Sequence, residues 1–289
     1  MRQILVTGSN GQLGNEIKNL ASAFAGMEFI FTDLNELDIS NADDLKDFFR
    51  NKHIDFLINC AAHTAVDKAE SEPEKAFLIN AFAPALLAEC AVEYGFTLVH
   101  ISTDYVFDGK SYKPYVEADP VSANSVYGKS KLEGELAILK SKANALIIRT
   151  SWMYSVYGHN FVKTILRLAG DKQELKVVSD QIGSPTYAAD LAKTILQIID
   201  SDSVTGTKIY HYSNEGICSW YDFANAIVQL AGLNCKVLPT QTSDFPTAAV
   251  RPHYSVLDKS AIKRDYNLEI PWWYDSLKVC IDLLKQVRD

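Results

Sequence analysis

Short apolar runs alternate along the first half of the chain with longer segments whose apolar positions recur at helical spacing. The runs Ile4–Thr7, Phe29–Thr32, Phe56–Asn59, Leu98–Ser102 and Leu146–Arg149 are rich in Val, Ile, Leu and Phe. Strands apolar on both sides need cover on both faces, so the pattern predicts a parallel sheet between helices and a βαβ rhythm. The clearest connecting helix is predicted over Pro73–Glu93, with Ser71 as N-cap, Pro73 and Glu74 in its first turn and Gly95 at its end. Past about residue 150 the regularity weakens and aromatics and prolines grow denser, while Tyr187–Ile199 reads as a helix returning to the sheet. The expected fold class is α/β. Residues 1–150 form the main body with 187–212 rejoining it, and 151–186 and 213–289 form a smaller mixed α/β lobe across a cleft.

Composition narrows the function classes. Of 289 residues, 47% are hydrophobic and 22% charged, enough apolar material for a packed core. A net charge of −8 without a basic tract excludes a phosphate-backbone binder, so no nucleic acid partner is expected. The five cysteines are odd in number, scattered and without a C-x-x-C pair, which fits a reducing compartment and no thiolate metal site. No stretch is read as approaching membrane-spanning length, and the first apolar run is too short for a signal-peptide core. A cytoplasmic protein with no membrane partner is expected. The six histidines lack i, i+4 spacing, and no metal is expected.

The first strand runs into Gly8-Ser9-Asn10-Gly11-Gln12-Leu13-Gly14 and then a helical pattern. In that context glycines have physical work to do: Gly8 makes the tight turn, Gly11 lets backbone amides approach a pyrophosphate, and Gly14 lets helix and strand pack closely. Asp33 ends the second strand, where an adenosine ribose would be held. A Rossmann-type doubly wound parallel sheet binding a dinucleotide follows, with Gly8, Asn10, Gly11, Gln12, Leu13, Gly14 and Asp33 as cofactor contacts.

Reducing a carbonyl requires a hydride and a proton from a positioned acid. Tyr127 and Lys131 stand one helical turn apart, an arrangement in which an ammonium acidifies the phenol and also bonds the nicotinamide ribose. Chance alone gives about one Tyr-x-x-x-Lys pair in such a composition, and the sequence holds two, the other being Tyr274/Lys278. Only Tyr127 follows a strand whose end, Ser102-Thr103-Asp104-Tyr105, points into the crevice at the carboxyl edge of a parallel sheet. Thr103 is placed to donate to a substrate carbonyl oxygen. Two further strand ends converge there: Cys60-Ala61-Ala62-His63-Thr64, with Cys60 a small filler and His63 a hydrogen-bonding neighbour, and Thr150-Ser151-Trp152. Trp152 has two readings, a stacking surface for a sugar or ordinary core packing.

These motifs resemble the extended short-chain dehydrogenase/reductases over most of the chain. Gly11-Gln12-Leu13-Gly14, the run Ala61–Glu70, the run Ser102–Gly109 and Arg251-Pro252 are similar to the dTDP-4-dehydrorhamnose reductases. That resemblance implies NADPH- or NADH-dependent reduction of the 4-keto group of dTDP-4-dehydro-6-deoxy-L-mannose to dTDP-L-rhamnose. It implies Thr103, Tyr127 and Lys131 as catalytic residues, and Val66, Asp104, Tyr105 and Trp152 around the sugar. It adds Asp38, Ile39, Ala61, Ala62, Thr64 and Lys131 as cofactor contacts. Arg251, one of seven arginines, is expected at the substrate diphosphate. Some members dimerise through magnesium; here Glu16 and Asp190 are present, but Ala189 stands where a glutamate is expected. A monomer or homodimer without a bridging metal is the expectation. The rivals are a nucleotide-sugar epimerase or 4,6-dehydratase and a non-catalytic chain resembling the regulatory subunit of methionine adenosyltransferase. The resembling dehydratases carry Asp-Glu after the strand threonine, whereas here Thr103 is followed by Asp104-Tyr105. A tyrosine is a poor base near neutral pH, which favours reduction over elimination.

Overall fold

The computed structural model describes residues 1–201 and 203–286; residues 202 and 287–289, which the expected division into body and lobe takes in, lie outside the described residues. Five strands, β1 (Arg2–Thr7), β2 (Met27–Phe31), β3 (Phe56–Asn59), β4 (Thr97–Thr103) and β5 (Ala145–Thr150), build a parallel sheet completed by the strand Thr207–Tyr212. Every pairing is parallel, and the order across the sheet is Thr207–Tyr212, β5, β4, β3, β1, β2. The chain reverses its direction of travel between β1 and β3. Their carboxyl ends therefore diverge into a crevice, the place where open α/β sheets hold ligands.

Strand periodicity decides what covers each face. Ile4 and Val6 of β1 join a core with Ile58, Ile148 and the helices Gln12–Leu20 and Ala188–Asp200, while Leu5 turns the other way to join Leu57, Leu98 and Ile147 under the helices Ala42–Arg50, Pro73–Tyr94 and Val126–Ser141. A further core gathers the helices Phe161–Asp171, Trp220–Ala231 and Trp273–Gln286 with the paired strands Glu174–Val178 and Lys236–Thr240.

Two expectations about the helix Pro73–Tyr94 need correcting. Ser71 is not its N-cap: it ends a separate short helix, Val66–Ser71, and its hydroxyl bonds back to the Lys68 carbonyl, leaving Glu72 at the cap position. The other concerns membranes, since this 22-residue helix is long and apolar enough to span one by length and composition. One side of it packs into the protein, with Ala76, Ala83, Leu87, Ala88 and Ala91 buried, the last four in the sheet core, while Leu78, Phe82 and Val92 are exposed. Gly95 does end the helix, in a left-handed conformation.

The helix Val126–Ser141 is tied to the sheet by charge as well as packing. Glu135 on its inner face accepts from Arg149 of β5 at 2.7 and 2.9 Å and from the Ser102 hydroxyl of β4 at 2.5 Å, all three residues being buried. Removing either charged partner strands a buried charge, which costs about 3–5 kcal/mol. Glu135→Ala is expected to lower the unfolding free energy by that amount in urea titrations. Adding Arg149→Met should recover part of the loss. A loss below about 1 kcal/mol, the level of an exposed ion pair, would show that the pair does not hold the helix.

Candidate active site

Two adjoining cavities open along the carboxyl edge of the sheet. The smaller, about 350 Å³, is lined by Thr7, Gly8, Gly11, Asp33, Leu34, Leu37, Asp38, Ile39, Cys60, Ala61, Ala62, His63, Lys75 and Ile79. The larger, about 590 Å³, takes in Gln12, Leu13, Thr64, Val66, Thr103, Asp104, Tyr105, Tyr127, Lys131 and Trp152. Gly11, Cys60 and Ala62 belong to both walls.

The glycine loop is shaped by contact. A Cβ on Gly8, whose φ is +62°, would meet the Ala61 nitrogen at 2.5 Å, and one on Gly14 would meet Ser9 Cα at 2.5 Å. The loop thus lies directly against the start of the segment after β3, and the helix beginning at Gln12 has no side chain capping its amides. Amides left free at a helix N-terminus beside a cavity fit an anionic group such as a pyrophosphate. Asn10 and Gly14 line neither cavity. Asn10 instead donates its backbone N–H to Asp33 at 3.0 Å and accepts from Lys18, and Gly14 serves the packing beneath the loop.

Tyr127 and Lys131 reach the larger cavity from the first turns of the helix Val126–Ser141, whose Ser125 caps the Gly128 amide. Packing here is close: a Cβ on Gly128 would strike the Tyr105 carbonyl oxygen and one on Gly134 that of Asn80. Burial pushes the Tyr127 phenol up to about 12; the neighbouring Thr103 hydroxyl works against this rise and Asp104 adds to it. The Tyr105 ring meets it edge-on at 5.5 Å. The expectation that Lys131 supplies the acidifying field is not met in this arrangement. Its ammonium nitrogen bonds the Ile101 carbonyl at 2.6 Å and approaches His100 Nε2 at 3.3 Å, and burial pulls it down to about 8, with Glu135 opposing.

Thr103 also differs from expectation in one respect. Its hydroxyl donates to Asp104 Oδ1 at 2.9 Å and accepts from the Tyr105 amide at 3.2 Å, so its proton is already engaged. Asp104 is buried, its Oδ2 has no hydrogen-bond partner, and burial pushes its carboxyl up to about 7. Cys60 is held as a thiol, pushed up to about 12 by burial.

Trp152 has a backbone φ of +49°, rare for a bulky side chain and costly unless its surroundings hold it. The surroundings do so: its indole stacks on Trp220 with centroids 3.6 Å apart, and any side chain at Gly183 would overlap its ring. Arg251 lies outside both cavity walls, with its two terminal nitrogens on Asp67 at 2.9 and 2.6 Å. A carboxylate from Val66–Ser71 thus satisfies the guanidinium that was expected at a diphosphate. Tyr274 of the second Tyr-x-x-x-Lys pair packs against Trp272 and Trp273 and lines neither cavity. Glu16 accepts from Ser155, and Asp190 from Asn214 and Ser276; among the described residues no group of three or more His, Cys, Asp or Glu side chains could hold a metal.

Sequence reasoning missed Asn80, Trp220 and His100. Asn80 sits in a π-helical turn, Leu78–Phe82, where its amide bonds both backbone groups of His63 and the Ser130 hydroxyl, bracing the segment after β3 against the helix of Tyr127. Trp220 comes from a helix distant in sequence. His100 lies inside an apolar strand that reads as core.

Known proteins resemble this chain over nearly its whole length. The model of the family described as RmlD substrate binding domain matches residues 1–286. The spore coat polysaccharide biosynthesis protein SpsK of Bacillus subtilis is 42% identical over 278 residues, covering 96% of each chain. The crystal structure of a dTDP-4-dehydrorhamnose reductase of Clostridium acetobutylicum superposes with a TM-score of 0.93 at 45% identity, covering 98% of this chain and 99% of that one. A dTDP-4-dehydrorhamnose reductase of Bacillus anthracis, solved in complex with NADP, does so with a TM-score of 0.93 at 37% identity, covering 98% and 100%. With matching spanning both the cofactor loop and the cleft, the chain belongs to the RmlD substrate binding domain family.

Proposed function

We propose that the protein is a dTDP-4-dehydrorhamnose reductase, converting dTDP-4-dehydro-6-deoxy-L-mannose to dTDP-L-rhamnose with NADPH or NADH. The observation that carries this reading is one cavity wall holding Thr103, Tyr127 and Lys131 together with Gly11, Gln12 and Leu13 of the uncapped glycine loop. The reduced nicotinamide, when bound, supplies the hydride that goes to the sugar C4. Gly8, Gly11, Asp33, Asp38, Ile39, Ala61 and Ala62 would hold its adenosine half, and Gln12, Leu13, Thr64, Tyr127 and Lys131 the half nearer the sugar. The cofactor domain would comprise residues 1–150 and 187–212, the rest forming the sugar-binding lobe. Free cysteines in scattered positions support a cytoplasmic site of action.

Tyr127 gives its proton to the carbonyl oxygen as the C4–H bond forms, completing the alcohol. Its high proton affinity keeps it neutral, and therefore a donor, throughout the neutral range. Thr103 orders the oxygen beside it once its proton turns from Asp104 to the substrate. Asp104 Oδ2, buried and unpartnered, is available to a sugar hydroxyl. Trp152, fixed by Trp220, offers the sugar an apolar face. Arg251 would reach a diphosphate only by leaving Asp67. Elimination is disfavoured because the position after Asp104 holds Tyr105, whose phenol burial raises further.

The reaction is tested by supplying the ketosugar enzymatically from dTDP-glucose. One reduced nicotinamide is expected to be consumed per product, with the product two mass units above the ketosugar, about the mass of the added hydride and proton. Loss of water from dTDP-glucose given to this protein alone, without net cofactor oxidation, would reject the reading. Tyr127→Phe is expected to lower turnover by roughly 10²-fold or more with cofactor affinity retained, while Tyr274→Phe leaves turnover intact. Near-normal turnover in Tyr127→Phe would remove that residue from the mechanism. Trp220→Ala, which withdraws the support beneath Trp152, is expected to raise KM for the nucleotide sugar several-fold more than it lowers kcat. An equal effect on both would deny the indole a sugar-binding role.

A further inference from the structure

Positions 12, 16 and 19 fall on one face of the helix Gln12–Leu20, and all three side chains bond to a single stretch of chain after β5. Asn160 donates to Gln12 Oε1 at 3.0 Å, Ser155 donates to Glu16 at 2.6 Å, and Asn19 donates to the Tyr157 hydroxyl at 2.6 Å. Gly158, with a φ of +62°, closes the contact, since a Cβ there would meet Gln12 Cγ at 3.0 Å. Residues 155–160 thus lie along the helix whose uncapped amino end faces the cavities. They are anchored outside the core of the sheet: Asn160 caps the helix Phe161–Asp171, whose Val162, Ile165 and Leu166 pack with Phe223 and Ile227 of the helix Trp220–Ala231.

The partners of Asn160 leave its amide one orientation. Its Oδ1 accepts from the Lys163 backbone N–H at 3.1 Å, and its NH2 group donates to the Ser155 and Tyr157 carbonyls at 2.7 and 3.2 Å. A backbone N–H only donates and a carbonyl only accepts, so turning the amide over would break all three bonds. The atom of Gln12 that meets this NH2 group must then be its oxygen, because two NH2 groups would set hydrogen against hydrogen. Gln12 is left with its own NH2 group for the larger cavity, whose wall it forms with Gly11 and Leu13.

We propose that Asn160 is a positioning residue for the dinucleotide: it turns Gln12 so that a side-chain NH2 group joins the free backbone amides of the helix start as a donor to the diphosphate. Gly11, the cap residue, has no side chain to occupy those amides, so donors of one kind gather at this end of the helix. A glutamine without the Asn160 contact would present its oxygen as readily as its nitrogen, and the oxygen would oppose a phosphate. Fixing the amide beforehand removes that ordering cost from binding. The donor is thus set by a residue 148 positions away, on a helix that packs in a different core.

The inference rests on the cofactor part of the reading above and is tested by titrating the full-length protein with NADPH, without ketosugar, following nicotinamide fluorescence. Asn160→Asp keeps an acceptor for the Lys163 N–H but meets Gln12 with a second oxygen, so the glutamine turns over and shows its carbonyl to the phosphate. The Kd for NADPH is expected to rise about tenfold or more, the scale of a lost hydrogen bond to a charged group. Gln12→Ala is expected to raise it about threefold or more. In that background Asn160→Asp should add at most about twofold, because its effect passes through Gln12. An unchanged Kd in Asn160→Asp would overturn the proposal, and so would an effect that persists in full without the Gln12 side chain. Should circular dichroism show Asn160→Asp unfolded, Asn160→Ser takes its place: serine retains a cap acceptor and only releases Gln12, and a rise of about threefold that vanishes in Gln12→Ala is expected. Failure of the unaltered protein to bind NADPH or NADH would reject the reduction and this inference together. Binding that is indifferent to Asn160 rejects this inference alone, and the expected pattern without reduction of the ketosugar places the error in the substrate.

Discussion

The placement of the candidate catalytic side chains depends on one buried ion pair. Glu135 and Arg149, sealed from solvent, lock the helix Val126–Ser141 onto β4 and β5, with Ser102 as the third member. Two charges so desolvated tolerate little displacement, because any separation leaves each unpaired in a medium that cannot screen it. Glu135 lies one turn beyond Lys131 and two beyond Tyr127, so fixing its carboxylate fixes the rotation of the whole inner face. Glycines at 128 and 134 then let that face close against the Tyr105 and Asn80 carbonyls. The Tyr127 phenol and the Lys131 nitrogen are consequently held at set depths below the carboxyl edge of the sheet.

From that anchor the rest of the site follows by contact. The π-turn of Leu78–Phe82 turns Asn80 between His63 and Ser130, joining the segment after β3 to the same helix. The glycine loop abuts that segment through Gly8 and Ala61, so the walls of both cavities share one backbone. Across the cleft, Trp220 and Gly183 hold Trp152 in a backbone conformation it would not adopt alone. The chain beyond β5 therefore contributes a rigid indole to the wall of the larger cavity, and the sheet edge contributes its polar side chains.

The proton balance of the site has the same origin in burial. Tyr127 is kept protonated, Asp104 is carried toward neutrality, and Lys131 is disfavoured as a cation, because each leaves water without a full charge partner. The spacing of Tyr127 and Lys131 implies a cation acting on a phenol, whereas in the structure Lys131 bonds the Ile101 carbonyl and approaches His100.

The parallel sheet, the glycine loop at its first turn, Tyr127, Lys131 and Thr103 were all legible in the sequence, and so was the membership of one family. Their signals are local: apolar runs of strand length, glycines where the backbone must approach closely, and a tyrosine and lysine one helical turn apart after a strand end. What those side chains bond to was not legible. The N-terminus of Pro73–Tyr94, the engagement of Arg251 by Asp67, the contact of His100 with Lys131 and the backing of Trp152 by Trp220 join residues up to 184 positions apart. Such partnerships depend on strand register, helix rotation and loop closure. The pattern of one segment determines which face it buries, and only the packing of all segments decides which polar atom on that face meets which.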